Sequence, residues 1–474
     1  MKNSTDLLLN SLLAGDGGRD APVDEVFAWL RRRNREVGVR IAPTPFDRLA
    51  GWAFDPATGN LGHESGKFFS IEGIRVRKED GTSRCWNQPI INQPEVGILG
   101  ILAREIDGVL HFFLQAKIEP GNVNHVQLSP TLQATRSNYT QVHKGRKPLY
   151  LDYFQRARGD QILLDQLQSE QGARFLRKRN RNIILRVDDE IPAHDDFRWL
   201  TLGQIKRLMA GDNVVNMDTR TVLSGLRFNG FLGGLSLYDF NRFADDHRVG
   251  PFGRDLLLSE LALSGYRSID GILHWLSALK ARYELVVDRI PLNQVDEWRV
   301  TDDEIVRPDR RFFRVLGVEV TIENREVRAW CQPLIEPMQE GICAFIIRRI
   351  NGVLHFLVQA KIECGNFDVV EMAPTVQCLT GNYKDGYLYT PRFLDVVLNA
   401  PRERVIFDTK QSEEGGRFFR EQNRNLLVEA GDEFPVEVPE NFMWLTLGQI
   451  KEFLRFNNYL NIQARSLIAA LEYR

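Results

Sequence analysis

Runs of apolar residues broken by turn dipeptides recur twice along this chain. Gly97–Arg104 is apolar and bounded by glycine, the pattern of a buried strand. Asp107-Gly108 separates it from a second apolar run, Val109–Ile118. A DG or NG dipeptide between apolar runs predicts a tight hairpin, because both residues tolerate positive φ. Asn351-Gly352 repeats the signal in IIRRINGVLHFLVQAK. Ser169–Lys178 carries Glu, Arg, Phe and Leu at helical spacing behind a possible N-cap serine, which predicts a helix. Asn182–Val187 reads as a strand and Thr201–Met209 as a short helix capped by Thr201.

The second occurrence is a copy of the first. IDGVLHFFLQAKIEPGN at Ile106 and INGVLHFLVQAKIECGN at Ile350 agree at 13 of 17 positions, 244 residues apart. WNQPI at Trp86 returns as WCQPL at Trp330, QSEQGARF at Gln168 as QSEEGGRF at Gln411, and WLTLGQIK is identical at Trp199 and Trp444. NMDTRTVLSGL at Asn216 corresponds to NIQARSLIAAL at Asn461. Two copies of this length indicate duplicated domains: module 1 over 24–226, module 2 over 269–471, and a connector over 227–268. Each module reads as α+β, an antiparallel or mixed sheet with flanking helices.

Composition narrows the function. Lys plus Arg total 61 against 63 Asp plus Glu, a net charge of −2, which gives no general attraction to nucleic acid or an anionic membrane. The five cysteines show no CxxC and suit a reducing cytoplasm. No run of 18 apolar residues occurs, and the N-terminal stretch is too polar for a signal peptide. GxGxxG, GxxxxGK[ST], HExxH and GxSxG are all missing, so no nicotinamide, P-loop, zincin or nucleophile-elbow chemistry is indicated, and no metal site. His111 and His355 sit mid-strand and read as satisfied core histidines.

The positive signal is polar. Lys117 and Glu119 share a sheet face at a strand end, with Asn122 following. Gln127, Ser129, Thr131, Gln133 and Thr135 alternate on what reads as one face, a composition suited to a cleft that holds a polar ligand. Lys361, Glu363, Asn366, Glu371, Thr375 and Gln377 repeat it in module 2. Arg136, Ser137, Asn138, Lys144 and Arg146 are candidate diphosphate contacts, and Gln168, Glu170 and Arg174 further substrate contacts. Glu119 is the candidate base beside Lys117, His143 the candidate proton donor and Tyr139 its alternative. A possible second site comprises Lys361, Glu363, Glu371, Thr375, Gln377, Tyr383, Glu413, Glu414 and Arg417. Module 2 has fewer basic residues, and Gln127 and Gln171 become Glu371 and Glu414, which favours module 1 for binding a diphosphate. The counter-reading makes Glu371 and Glu414 acid and base of a catalytic module 2; a cleft shared between the modules is a third.

QAKIEPGN, SPTLQATRSNYTQVH and QSEQGARFLRKRNRN, with QAKIECGN, APTVQCLTGNY and QSEEGGRFFREQNRN, resemble the sugar-nucleotide 2,3-dehydratases of deoxysugar biosynthesis over nearly the whole chain. The resemblance implies a tandem Nudix-like fold, a homodimer and no redox cofactor. It implies a dTDP-4-keto-6-deoxyhexose substrate that loses its C2 hydroxyl to give a 3,4-diketo-2,6-dideoxy sugar. Such an unstable product implies a downstream 3-ketoreductase or aminotransferase partner. The Nudix box is missing, so Mg²⁺-dependent diphosphate hydrolysis is not expected. A nucleotide-sugar binding protein without chemistry and a duplicated diphosphohydrolase remain the alternatives.

Overall fold

The computed structural model describes residues 4–14, 22–135, 147–192, 194–228, 237–383 and 390–473. Among these, eleven α-helices flank four sheets in a mixed α+β arrangement. Each copy contributes one seven-stranded sheet. In the first, Ile162–Ser169, Arg179–Arg186, Gly97–Ile106, Val109–Ile118 and Phe197–Thr201 lie in that order. Val126–Ser129 and Leu132–Ala134 are added on Val109–Ile118 and Gly97–Ile106. Only Arg179–Arg186 against Gly97–Ile106 runs parallel, so the sheet is mixed. The second sheet repeats this order with Val405–Ser412, Gln422–Glu429, Gly341–Ile350, Val353–Lys361 and Phe442–Thr446.

The local signals explain these elements. Asp107 and Gly108 have φ of 48° and 82°, Asn351 and Gly352 of 52° and 80°, the left-handed pairs that a two-residue hairpin needs. Thr201 caps Leu202–Met209 through its hydroxyl, and Gln204 reaches back to the Thr201 amide at 2.9 Å. His111 and His355 turn Nδ1 to the carbonyls of Val109 and Val353, as core histidines do. Ser169–Lys178, expected as a helix, is not one. It leaves its strand, turns back through Phe175 N to Gln171 O at 2.9 Å, and enters the next strand after Arg177 at φ 47°. It also bonds to the other copy, through Arg177 N to Gly365 O at 2.7 Å and Gly365 N to Gly172 O at 2.6 Å.

The two smaller sheets are exchanged. Val39–Thr44 follows a helix of the first copy, Val23–Glu36, yet pairs with Phe313–Ile322 of the second, from Val39 opposite Ile322 to Thr44 opposite Gly317. Glu284–Ile290 crosses the other way onto Ser70–Glu79. The helices that precede these strands stay home: Trp29 Nε1 donates to Asp195 O at 2.9 Å and Trp275 Nε1 to Glu440 O at 2.6 Å.

Part of the 227–268 stretch, read as connector, packs as a repeat element. Pro251–Leu261 is a helix whose Ser259 hydroxyl donates to Leu354 O at 2.6 Å and accepts from Leu447 N at 2.8 Å. Ser11 in the helix Ser4–Leu13 does the same to Leu110 O and Leu202 N.

Candidate active site

The strand Val109–Ile118 carries Gln115 and Lys117 on one face, and Glu119 follows as the chain leaves the sheet. Leu132–Ala134 lies two strands over and presents Gln133 to the same side. Gln133 joins the pair. Lys117 Nζ donates to Gln133 Oε1 at 2.6 Å, Gln133 Nε2 donates to Glu119 Oε1 at 2.8 Å, and Lys117 stands 3.5 Å from the same carboxylate oxygen. Among the described residues, Glu119 Oε2 has no hydrogen-bond partner although Glu119 is only 4% exposed. A buried carboxylate oxygen without a donor is costly unless something else uses it.

These groups form the floor of a cleft of about 520 Å³, a volume suited to a small-molecule ligand. The second copy completes it. The glycine of QAKIEPGN binds the loop of QSEEGGRF: Gly121 N donates to Gly415 O and Arg420 N to Gly121 O, each at 2.7 Å. That contact brings Glu414, Gly416 and Arg417 over the floor. Arg417 lies 4.2 Å above the Phe69 ring and donates from Nε to Gln93 Oε1 at 3.2 Å. From the exchanged sheet of the second copy come Glu319, Arg325, Glu326, Trp330 and Gln332. Gln332 donates to Gly416 O at 2.8 Å and accepts from Trp330 Nε1 at 2.7 Å. The first copy's own small sheet adds Trp52, His63, Phe68 and Phe69, with His63 and Phe68 4.5 Å apart edge to face.

The electrostatics are those of a crowded acidic pocket. Asp218, 2% exposed at the start of the helix Met217–Ser224, lines the cleft. Burial, then the charges of Glu414, Glu170 and Glu119, hold its pKa well above the carboxylate range. Burial likewise raises Glu414, and Glu170 to about 7. Burial lowers Lys117, Lys178 and Arg417. Among the described residues, no three His, Cys, Asp or Glu side chains are placed to hold a metal ion.

The sequence candidates separate on this geometry. Lys117, Glu119, Thr131 and Gln133 line the cleft. The Thr131 hydroxyl is spent between strands, accepting from Leu102 N at 2.9 Å and donating to Phe113 O. The single polar face over 127–135 is broken at Pro130: Gln127 instead accepts from Ser412 of the second copy at 2.7 Å, and Ser129 is fully buried. Gln168 donates to Leu454 O at 2.7 Å and Glu170 accepts from Asn180 at 2.7 Å, both outside the cleft wall. Arg136, Ser137, Asn138, Tyr139, His143, Lys144 and Arg146 lie outside the described residues.

Glu414 and Arg417, expected in the second site, line the first, because the loop that carries them crosses between copies. Arg174 makes the reciprocal crossing and lies 4.3 Å above the Phe313 ring of the second copy. The step from Gln171 to Glu414 therefore adds a carboxylate to the first cleft and does not weaken the second. Glu371 is no cleft acid either; it accepts from Ser169 at 2.8 Å where the copies meet. Glu413 accepts from Gln171 and Asn423 at 2.6 Å. Around Lys361 and Glu363, Gln377 donates to Glu363 at 3.0 Å but accepts from Asn461, leaving Lys361 to the Gln377 backbone carbonyl. Thr375 ties strands as Thr131 does, and Tyr383 ends a short 3-10 turn. Sequence reasoning passed over Asp218, Lys178, Trp330 and Gln332. The WNQPI/WCQPL repeat carried a signal for the last two, and the Asp218-to-Gln463 difference inside a matched motif carried one for Asp218.

A family model described as NDP-hexose 2,3-dehydratase matches residues 23–226 and again 270–471. The chain is 48% identical over 471 residues to a dTDP-4-dehydro-6-deoxy-alpha-D-glucopyranose 2,3-dehydratase of Saccharopolyspora spinosa, covering 99% of this chain and 95% of that one. It is 44% identical to a protein of the same name from Streptomyces violaceoruber, over 94% of this chain and 96% of the relative. A third, from Amycolatopsis orientalis, is 43% identical over 94% and 90%.

Proposed function

This chain belongs to the NDP-hexose 2,3-dehydratase family, and we propose that it is a hydro-lyase converting dTDP-4-keto-6-deoxy-D-glucose to the 3,4-diketo-2,6-dideoxy sugar in the cleft of the first copy. The observation that carries this reading is Glu119 Oε2, a buried carboxylate oxygen with no partner among the described residues, on the floor of a cleft large enough for a sugar. The C3 proton of the substrate is acidic because it neighbours the C4 ketone. Glu119 removes it, and Lys117 and Gln133 hold the carboxylate in place through its other oxygen. Lys117 also supplies positive charge for the enolate. Trp52, His63 and Phe68 offer ring faces and edges for the nucleotide base, and Arg325 at the wall a charge for the diphosphate, with Arg136, Lys144 and Arg146.

The resemblance to this family supports the rest of the proposal. The two units, 24–226 and 269–471, are Nudix-like, the enzyme is a cytoplasmic homodimer of deoxysugar and natural-product biosynthesis, and a 3-ketoreductase or aminotransferase takes its unstable product. No cofactor enters the scheme, since both protons and both electron pairs stay within substrate and side chains. The test is incubation with dTDP-4-keto-6-deoxyglucose and a 3-ketoreductase that traps the product. Turnover without added NAD and in EDTA is expected. Mg²⁺-dependent release of thymidine monophosphate, or binding without turnover, would replace the reading by a hydrolase or a binding protein.

A further inference from the structure

Loss of the C2 hydroxyl needs a proton donor as well as a base, and the cleft contains carboxyls besides Glu119, of which Asp218 is supplied by the same copy. We propose that Asp218 protonates the departing C2 hydroxyl and works as a pair with Glu119, an inference that rests on the dehydratase reading. Asp218 and Glu119 line the same cleft, 2% and 4% exposed, and Glu119 keeps one oxygen there without a partner among the described residues. Asp218 stands in the first turn of Met217–Ser224, and its helix is fixed from outside the cleft by the Asn216 cap on Thr219 N at 2.9 Å. The groups that act on it are Glu414, Glu170, Glu119 and Lys117. Burial, then the charges of Glu414, Glu170 and Glu119 against that of Lys117, raises the Asp218 carboxyl well above its ordinary value, the direction that favours its protonated, proton-donating form. The second copy has Gln463 at this position of the corresponding helix, Ile462–Ala469, so the acid belongs to one cleft only.

The protons balance. Glu119 takes the C3 proton, and the C–H electron pair forms the C3=C4 enolate. The enolate reforms the C4 carbonyl, a C2=C3 double bond forms, and the C2–O bond breaks. The leaving oxygen takes the Asp218 proton and departs as water. The product is an enol at C3. Its O3 proton returns to Asp218, and Glu119 delivers the proton it holds to C2. Both carboxyls end as they began, and no other acid is consumed.

The experiment separates the two halves of the reaction. Wild-type enzyme, Asp218→Asn and Glu119→Gln are incubated with the 4-keto sugar nucleotide in D₂O, and with its 2-deoxy-2-fluoro analogue, whose fluoride leaves without a proton. Asp218→Asn is expected to slow dehydration by about 10²- to 10⁴-fold. It should still exchange the C3 proton for deuterium and still release fluoride at close to the wild-type rate. Glu119→Gln should lose all three. Binding of dTDP by calorimetry reports that each variant is folded, and the amide at Gln463 shows that the helix accepts one. If Asp218→Asn fails to bind, Asp218→Glu replaces it, with slowed dehydration but retained exchange and fluoride loss. Loss of exchange in a variant that binds dTDP, or unimpaired dehydration, overturns the proposal. Wild-type enzyme that neither exchanges nor dehydrates overturns the dehydratase reading instead.

Discussion

Equivalent residues have diverged into different tasks, and matched substitutions expose the difference. Glu119 and Glu363 each carry one unpartnered buried oxygen and each accept a glutamine, Gln133 and Gln377. Only Glu119 has its lysine at hand through that glutamine; Lys361 has been displaced by Asn461. Glu119→Gln is expected to lower kcat by about 10²-fold or more with nucleotide binding intact, and Glu363→Gln to leave turnover unchanged. The reverse outcome in the trapped-product assay would move the chemistry to the second copy. Glu371 tells a different story. Burial raises its pKa to about 7. A carboxyl raised in the folded state favours folding below its unfolded value, and that contribution is lost as pH rises through about 7. Glu371→Gln, which copies the Gln127 of the other module, should remove this alkaline loss. Urea melts at pH 5 and pH 8 should show the variant gaining at pH 8 by up to about 3 kcal/mol, at about 1.4 kcal/mol per pKa unit. The sequence exposed Lys117, Glu119 and Gln133 because alternation along a strand is a local property. Asp218 stayed hidden because nothing within its helix says that four carboxyls meet there.

Elements whose signal is local were legible, and those fixed by a distant partner were not. The hairpins at Asp107-Gly108 and Asn351-Gly352 and the helix after Thr201 depend on their own dihedrals and caps. Ser169–Lys178 has helical spacing, but Leu176 N bonds to Ile91 O of a distant strand, and Arg177 N and Gly172 O bond to Gly365 of the other copy, so tertiary contact overrides the pattern. The same contact explains the glycines of QAKIEPGN and QAKIECGN. A Cβ on Gly121 would sit 1.7 Å from Phe418 O, and on Gly365 1.7 Å from Phe175 O. Gly121→Ala must push the loops apart and should cost about 3 kcal/mol or more. It should also lower turnover by displacing Glu414 and Arg417. Gly352→Ala, at a turn tip with open space, should cost less, since only its φ of 80° is strained. Equal losses from the two, read by chemical unfolding, would contradict this assignment.

At the scale of the molecule, the cleft belongs to neither copy alone. The first supplies Lys117, Glu119, Gln133 and Asp218, and the second Glu414, Arg417, Trp330 and Gln332. Repeat alignment could show that two copies exist; it could not show that their loops and first strands cross, because crossing leaves each copy's own pattern unchanged. Arg417→Ala, 298 residues along the chain from Glu119 and 199 from Asp218, should lower kcat/KM by about tenfold or more. Residues 1–228 and 229–474 produced separately should each lack the partner strand for a small sheet and be inactive. Co-expressed, they should recover turnover. Activity in the first half alone would refute the shared cleft.

The exchange of Val39–Thr44 for Glu284–Ile290 also says how one site could change without the other. Unfused, a single copy wired this way is an intertwined twin, and every mutation strikes both of its sites at once. Joining the genes freed the two crossing loops to drift separately. Each site then inherits its differences from both genes. Glu414 of the first cleft corresponds to Gln171 in the first half of the chain, and Lys178 corresponds to Glu421 in the second half. Giving the second site counterparts of both Glu414 and Lys178 would therefore take edits on both sides of the fusion point.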